Sequence, residues 1–295
     1  MKKYAGIVVV LIILFFLGKG LYYHWSEVPF HKLTFNVRFA VLSFGLLIAT
    51  IYPGVQGWSI IMKAYGCSFG FRRTMWILGT SQLAKYLPGP FWAIGGRAYL
   101  YRKEGVPEIK TVLASIIEMG VWLVSAATCF VLSLPFWRGA DLPPLAFAGV
   151  LLVPIGFVML HPRFFGSGIN FFLRKAKRKE RTIAIDYRGI LGVVALFFGS
   201  WLLQGTGFFC LIKTVYPAFS FQNLVPVIGV YSSAWAVGFL SFITPSGLGV
   251  REFTLSYMLQ WFMPYPLAII ISILARIWST LFEMGMAMAA VSIGK

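Results

Sequence analysis

Runs of about 20 apolar residues recur along this chain, and that length constrains its fold more than any other feature. A helix of about 20 residues is about 30 Å long, which matches the hydrocarbon thickness of a bilayer. The clearest runs are roughly 5–23, 39–62, 110–134, 143–160, 189–213 and 265–293. Hydrocarbon offers the backbone no hydrogen-bond partner, so such segments are expected as helices. Composition excludes a water-soluble core: 59% of the residues are hydrophobic and 12% are charged, against about 45–50% and about 25% in soluble domains.

Two further apolar regions, about 75–101 and 224–262, are each interrupted. YLPGPFWAIGG breaks the first with Pro88 and Gly89, and TPSGLG breaks the second with Pro245, Gly247 and Gly249. Proline removes a backbone donor and glycine weakens a helix. Within a membrane such a break survives only where protein or a wet cavity satisfies the freed backbone groups. Both regions therefore read as broken hairpins, either re-entrant or spanning. Each is followed by an arginine (Arg97; Arg251), a second apolar arm and a proline-containing turn (Pro107; Pro264 and Pro266). A long run with an internal charge then closes each (Glu118; Arg276).

The net charge of +17 would point to nucleic acid in a soluble protein. Here no nucleic-acid-binding module is present, and Lys and Arg collect in the loops, as they do on the cytoplasmic side of a membrane. Lys2 and Lys3, the loop with Lys63, Arg72 and Arg73, the loop RKEGVPEIK, and the basic loop 161–188 are expected inside. That last loop carries eight Lys/Arg against Glu180 and Asp186. Its INFFLRKAKRKE stretch fits either a short amphipathic helix on the inner leaflet or a solvated loop that only sets topology. Both termini are then cytoplasmic, and the two hairpins enter from opposite sides, an arrangement common in transporters. The sequence thus predicts an all-α polytopic protein with about six full spans and two Pro/Gly-broken helical hairpins arranged as an inverted repeat. No polar linker divides it, so 1–295 is expected as a single transmembrane domain with pseudo-repeat halves at about 39–134 and 189–293.

Of the nine acidic residues, Glu118, Glu252 and Glu283 lie in apolar regions, as do Arg97, Arg251 and Arg276, with Lys85 just before the first break. A charge at the centre of a membrane helix costs roughly 2.5–3.5 kcal/mol, so such residues face a cavity or a partner. One reading is a polar cavity between the hairpins, lined by the three arginines and oriented by the three glutamates. Arginine suits it because its planar fork keeps its charge and grips phosphate with two donors. The competing reading is structural ion pairing. Arg251 and Glu252 are adjacent and point apart, so each needs another partner. Arg276 and Glu283 are two turns apart and share a face, while Arg97 has the option of snorkelling to the inner interface. Gln82 and Gln204 read as polar glue between helices. No Walker loop, HExxH pair or cluster of carboxylates is present, so no metal site, cofactor or catalytic group is expected. Cys67, Cys129 and Cys210 are far apart and form no disulfide framework.

The segments LPGPFWAIGGRAYLYRKEGVP with ASIIEMGVWLV, and ITPSGLGVREFTLSYML with AIIISILARIWSTLFE, resemble the lysylphosphatidylglycerol synthetase/flippase membrane-domain family. The resemblance covers about residues 5–293, and PSGLGVRE is its more specific motif. It departs from the family where a Glu-Arg pair is usual in the long run, since Met119 here follows Glu118. The resemblance implies an inner-membrane lipid-handling protein, flippase-like, moving a modified phospholipid or a polyprenyl-phosphate-linked lipid, with a lipid-modifying synthase or glycosyltransferase as a possible partner. Lys295 follows directly on the last run, so no soluble aminoacyl-transferase domain is expected. Two other classes stay open: an intramembrane polyprenyl-phosphate phosphatase, with Ser246 as a weak nucleophile, and a non-transporting partner of a membrane glycosyltransferase.

Overall fold

The computed structural model describes residues 33–82, 92–137, 144–175, 184–241 and 247–293, together with 18, 19, 23 and 84. Among these residues the structure is all-helical, with no strand. Apart from residues 18, 19 and 23, the expected first span at 5–23 lies outside the described residues, as do Lys85, Pro88, Gly89, Pro245 and Ser246.

The side chain of Asn36 caps α1 (Val37–Ala49) by accepting the N–H groups of Arg38 and Phe39. Asn36 also ties its own N–H to the Thr214 carbonyl at 2.8 Å, which fixes this start against the end of a later helix. Thr50 keeps helical dihedrals, so α2 (Ile51–Ala64) continues α1 into one apolar stretch, Val37–Ala64. After a turn at Gly66 come α3 (Phe71–Gln82) and, beyond the first break, α4 (Trp92–Lys103). These are 12 residues each, about 18 Å long and short of the roughly 30 Å hydrocarbon core. Glycine at 105 turns the chain into α5 (Glu108–Ser133), followed by α6 (Pro144–Met159) and α7 (Pro162–Lys175). Asp186 caps α8 (Tyr187–Val215) by accepting the Gly189 N–H at 3.0 Å. Then come α9 (Leu224–Leu240), the second break, α10 (Val250–Leu259) and α11 (Tyr265–Ile293).

Among the described residues, five stretches are long and apolar enough to cross a membrane: Val37–Ala64, Glu108–Phe136, Tyr187–Val215, Phe221–Leu240 and Tyr265–Ser292. Four of them match expected spans. The fifth is the first arm of the second interrupted region, which therefore has span length by itself, unlike α3. The run expected at 143–160 becomes a sixth only as part of a pair, α6 with α7, bent by 81°.

Lipid tails are as apolar as leucine, so close packing rather than water exclusion holds such helices together. The helices α5, α8 and α9 pack on one another, α1 and α2 lie against α8, α3 packs on α11, and α10 is seated between α9 and α11. Trp201, Phe208, Tyr231 and Trp278 belong to one buried apolar cluster; Trp58, Ile117 and Phe197 belong to another; Trp122 packs against both. The α5–α9 crossing depends on Gly229, where a Cβ would lie 1.9 Å from the Ser133 hydroxyl. Large apolar side chains such as Val41, Leu151, Ile277 and Met288 are exposed on the outside, as expected of a surface that faces lipid.

Candidate functional site

The six charged residues singled out from the sequence fall into two groups, one in each half. In the first, α4 carries Arg97 inward, and its guanidinium pairs with Glu118 on α5. Arg97 is only 8% exposed. It lies 4.3 Å over the ring of Trp58, whose indole N–H donates to the Tyr101 hydroxyl at 2.7 Å. Snorkelling is thus excluded: the side chain turns into the bundle, with its charge balanced by a carboxylate and a ring face. Its Nε–H is buried with no hydrogen-bond partner among the described residues, leaving one donor of the fork unused.

The second group is built on the start of α10. Gly247 and Gly249 have φ of 66° and 83°, a conformation that side chains oppose by about 1–2 kcal/mol. Gly247 also lies directly on Gly238 of α9, where a Cβ would come within 2.8 Å of the Gly238 carbonyl oxygen. The chain reverses against α9 and launches α10 from Gly249. Glu252, three residues on, reaches back with one carboxylate oxygen to accept the Gly249 N–H at 2.6 Å. Its other oxygen is 3.7 Å from Nη1 of Arg276 on α11. Glu252 is 6% exposed, so this carboxylate is both helix cap and counter-ion. Arg276 takes its carboxylate partner from α10 rather than from Glu283 on its own helix, and Glu283 lies half-buried two turns farther along α11.

Arg251 points elsewhere. Its guanidinium carbon is 5.0 Å from the centroid of the Tyr231 ring on α9. No carboxylate pairs with it among the described residues. Placed at the second position of α10, it adds positive charge to a helix end that already carries a partial positive charge. Among the described residues, the cluster of Arg251, Arg276 and Glu252 therefore holds one cation without a carboxylate partner.

Between the groups stands packed aromatic core. Trp122, one turn beyond Glu118 on α5, stacks on Phe197 at 4.0 Å and meets Trp201 at 5.3 Å. Tyr231, beneath Arg251, meets Trp201 at 6.4 Å. Among the described residues, Arg97 meets Glu118 and Trp58, whereas Arg276 meets Glu252 and Arg251 meets Tyr231. A separate cavity of about 360 Å³ is lined by Leu33, Thr34, Phe35, Val215, Leu267, Ile270 and Leu274 and carries none of the charged residues.

Two further polar residues on α8 are placed by the structure. Among the described residues, Gln204, expected as glue between helices, donates to Ser200 on its own helix at 3.3 Å. Lys213, near the end of α8, is 6% exposed. Its ammonium donates to the carbonyls of Pro217 and Phe219 at 2.6 and 2.8 Å and sits 4.3 Å over the Phe221 ring. From sequence it is one more basic residue at a span end; only the fold-back of residues 217–221 exposes its purpose, which is to close that turn. No group of three or more His, Cys, Asp or Glu suited to a metal ion occurs among the described residues.

A sequence model of the lysylphosphatidylglycerol synthase TM region matches residues 4–285, so the chain belongs to that family. No curated protein and no solved structure gives a match. The family and the apolar helices identify a multi-pass membrane protein with a lipid-related function.

Proposed function

We propose that this member of the lysylphosphatidylglycerol synthase TM-region family is a lipid translocase of the inner membrane. Its cargo is an anionic or amino-modified phospholipid, or a polyprenyl-phosphate-linked lipid. The reading is carried by Arg251. Glu252 is committed to Gly249 and Arg276, so Arg251 holds its charge over Tyr231 without a carboxylate partner among the described residues. A lone guanidinium in an apolar bundle is costly, and an anionic headgroup at the break offsets that cost while its tails stay in lipid. Phosphate fits best because the planar fork can grip two of its oxygens at once.

The halves support an inverted repeat. In each, a short helix after a break is ion-paired to the long helix that follows: Arg97 on α4 with Glu118 on α5, and Glu252 on α10 with Arg276 on α11. Glu118 lies ten residues after Glu108 at the start of α5, and Arg276 lies eleven after Tyr265 at the start of α11. The pairs occupy equivalent places with the charges exchanged. With basic loops and both termini on the cytoplasmic side, the hairpins enter the membrane from opposite faces, as in transporters that alternate access around a central site. The neutral Arg97–Glu118 pair then braces one hairpin while the charged one takes the headgroup.

Reconstitution tests this. Proteoliposomes holding the wild-type chain and a fluorescent phosphatidylglycerol are expected to move the label between leaflets, and Arg251→Gln is expected to slow movement at least tenfold while eluting as the folded species. Undiminished movement by folded Arg251→Gln would remove Arg251 from the pathway.

A further inference from the structure

The helix α7 is outside the candidate site, and its placement is specific. It follows α6 at an 81° bend. The bend is held from several directions. Leu160 is buried and donates its N–H to Gly156 at 2.9 Å. The His161 N–H donates to the Val158 carbonyl at 3.0 Å, its own carbonyl accepts the Phe165 N–H at 3.0 Å, and its Nδ1 accepts the Arg163 N–H at 3.3 Å. The His161 ring lies 4.9 Å from that of Tyr187, whose hydroxyl donates to the Phe157 carbonyl at 3.2 Å. On the inner side of α7, Phe165 and Ile169 join the apolar cluster of the first half. A Cβ at Gly120 of α5 would lie 3.1 Å from Leu160 and 3.8 Å from Phe165, so the turn is seated against that helix.

The outer side combines two chemistries. Phe164 and Phe171 are 55% and 58% exposed and, seven residues apart, lie on one stripe. Arg163 and Arg174, eleven apart, return to within about 20° of each other on the neighbouring stripe. Lys175 follows, and no acidic residue occurs from Pro162 to Lys175. Along α7, Arg163 and Arg174 are about 16 Å apart. Were α7 to run across the membrane, one of them would sit deep in hydrocarbon. At 81° to α6 that separation projects to only roughly 3 Å along the α6 axis, for a helix rising about 1.5 Å per residue. Both charged ends and both phenylalanines then share one depth. Full immersion disfavours the arginines and full hydration disfavours the phenylalanines; the headgroup boundary accommodates both.

The geometry points to α7 as an interfacial helix that docks on the anionic phospholipid surface of one leaflet, its Phe164/Phe171 stripe in the acyl boundary and Arg163, Arg174 and Lys175 on phosphates. The sign of the lipid follows from charge. The sequence continues past α7 with Lys177, Arg178, Lys179 and Arg181 against Glu180 alone, and such basic excess favours anionic over zwitterionic headgroups.

The test is made on the full chain in vesicles of phosphatidylglycerol and phosphatidylcholine. Nitroxides at Phe164→Cys and Phe171→Cys are placed in a Cys67→Ser background, Cys129 and Cys210 being buried. Accessibility to oxygen and to a water-soluble nickel complex gives their depth. Both labels are expected at one shallow depth near the headgroup boundary. Two fully hydrated labels, the result for a solvated helix or one reserved for a protein partner, would overturn the proposal; so would one label at the bilayer centre and one in water. A second measurement reads the lipids held by the protein after mixed-lipid extraction. Made in an Arg251→Gln background, so that lipid at the candidate site does not contribute, Arg163→Gln/Arg174→Gln/Lys175→Gln is expected to lower the preference for phosphatidylglycerol at least tenfold, with thermal unfolding unchanged. An unchanged preference would also overturn it.

Discussion

Replacing Glu118 with glutamine keeps the shape of the first-half site and removes only the counter-charge of Arg97. The two side chains are 13% and 10% exposed, so little water is available to screen what remains. Breaking one side of a buried pair costs about 3–5 kcal/mol, because the surviving charge is left in an apolar setting. Two features lower that figure. The glutamine carbonyl still accepts one guanidinium N–H, and the Trp58 face at 4.3 Å continues to stabilise the cation by about 0.5–2 kcal/mol. The expected loss is therefore roughly 2–4 kcal/mol. Arg97→Met should cost a similar amount by stranding Glu118. The double variant Arg97→Met/Glu118→Gln leaves no buried charge, so its cost should fall short of the summed single costs by about 2 kcal/mol or more. Reversible unfolding in mixed micelles, with tryptophan fluorescence as the signal, measures all four corners of the cycle. If Glu118→Gln lies within about 0.5 kcal/mol of wild type, or the two losses simply add, the pair is not the buried brace described here.

Gly229→Ala should destabilise by about 1–3 kcal/mol through overpacking, since its methyl would fall 1.9 Å from the Ser133 hydroxyl; thermal unfolding reads this directly. Gly249→Ala should cost about 1–2 kcal/mol because of its positive φ, and its loss should appear first as faster hydrogen exchange at the start of α10. Lys213→Met should strand the carbonyls of Pro217 and Phe219, at about 1–3 kcal/mol, and should raise protease cleavage at residues 216–221 ahead of global unfolding.

Run length alone located four of the spans, because a bilayer imposes one length scale on any crossing helix. Glycine chemistry, not run length, made the second break legible: Gly247 and Gly249 take positive φ, which an apolar helix does not continue through. Which charges meet was less legible. Helical periodicity put Arg276 and Glu283 on one face, but it says nothing of what the neighbouring helix presents there. Glu252 won because, three residues after Gly249, its carboxylate is drawn back over the start of α10 and toward α11. The adjacency of Arg251 and Glu252 did carry information: neighbours on a helix point apart, and their partners, Tyr231 and Arg276, lie on different helices. Lys213 was illegible because its partners are carbonyls, which every residue has. The amphipathic helix in the 161–188 loop was placed too late, as the structure starts it at Pro162; the bend at His161 that makes its pattern readable is a tertiary contact with Tyr187.

Arg251 is proposed to hold the anionic headgroup of a lipid. Native mass spectrometry of the gently purified chain tests it most directly, by weighing the lipid that stays bound. In the Arg163→Gln/Arg174→Gln/Lys175→Gln background, where α7 no longer holds anionic lipid, a retained anionic lipid is expected with Arg251 intact and with Tyr231→Phe, which keeps the ring under the guanidinium, and its loss is expected from folded Arg251→Gln. Equal retention by Arg251→Gln, or retention of zwitterionic lipid alone by the wild type, would contradict it.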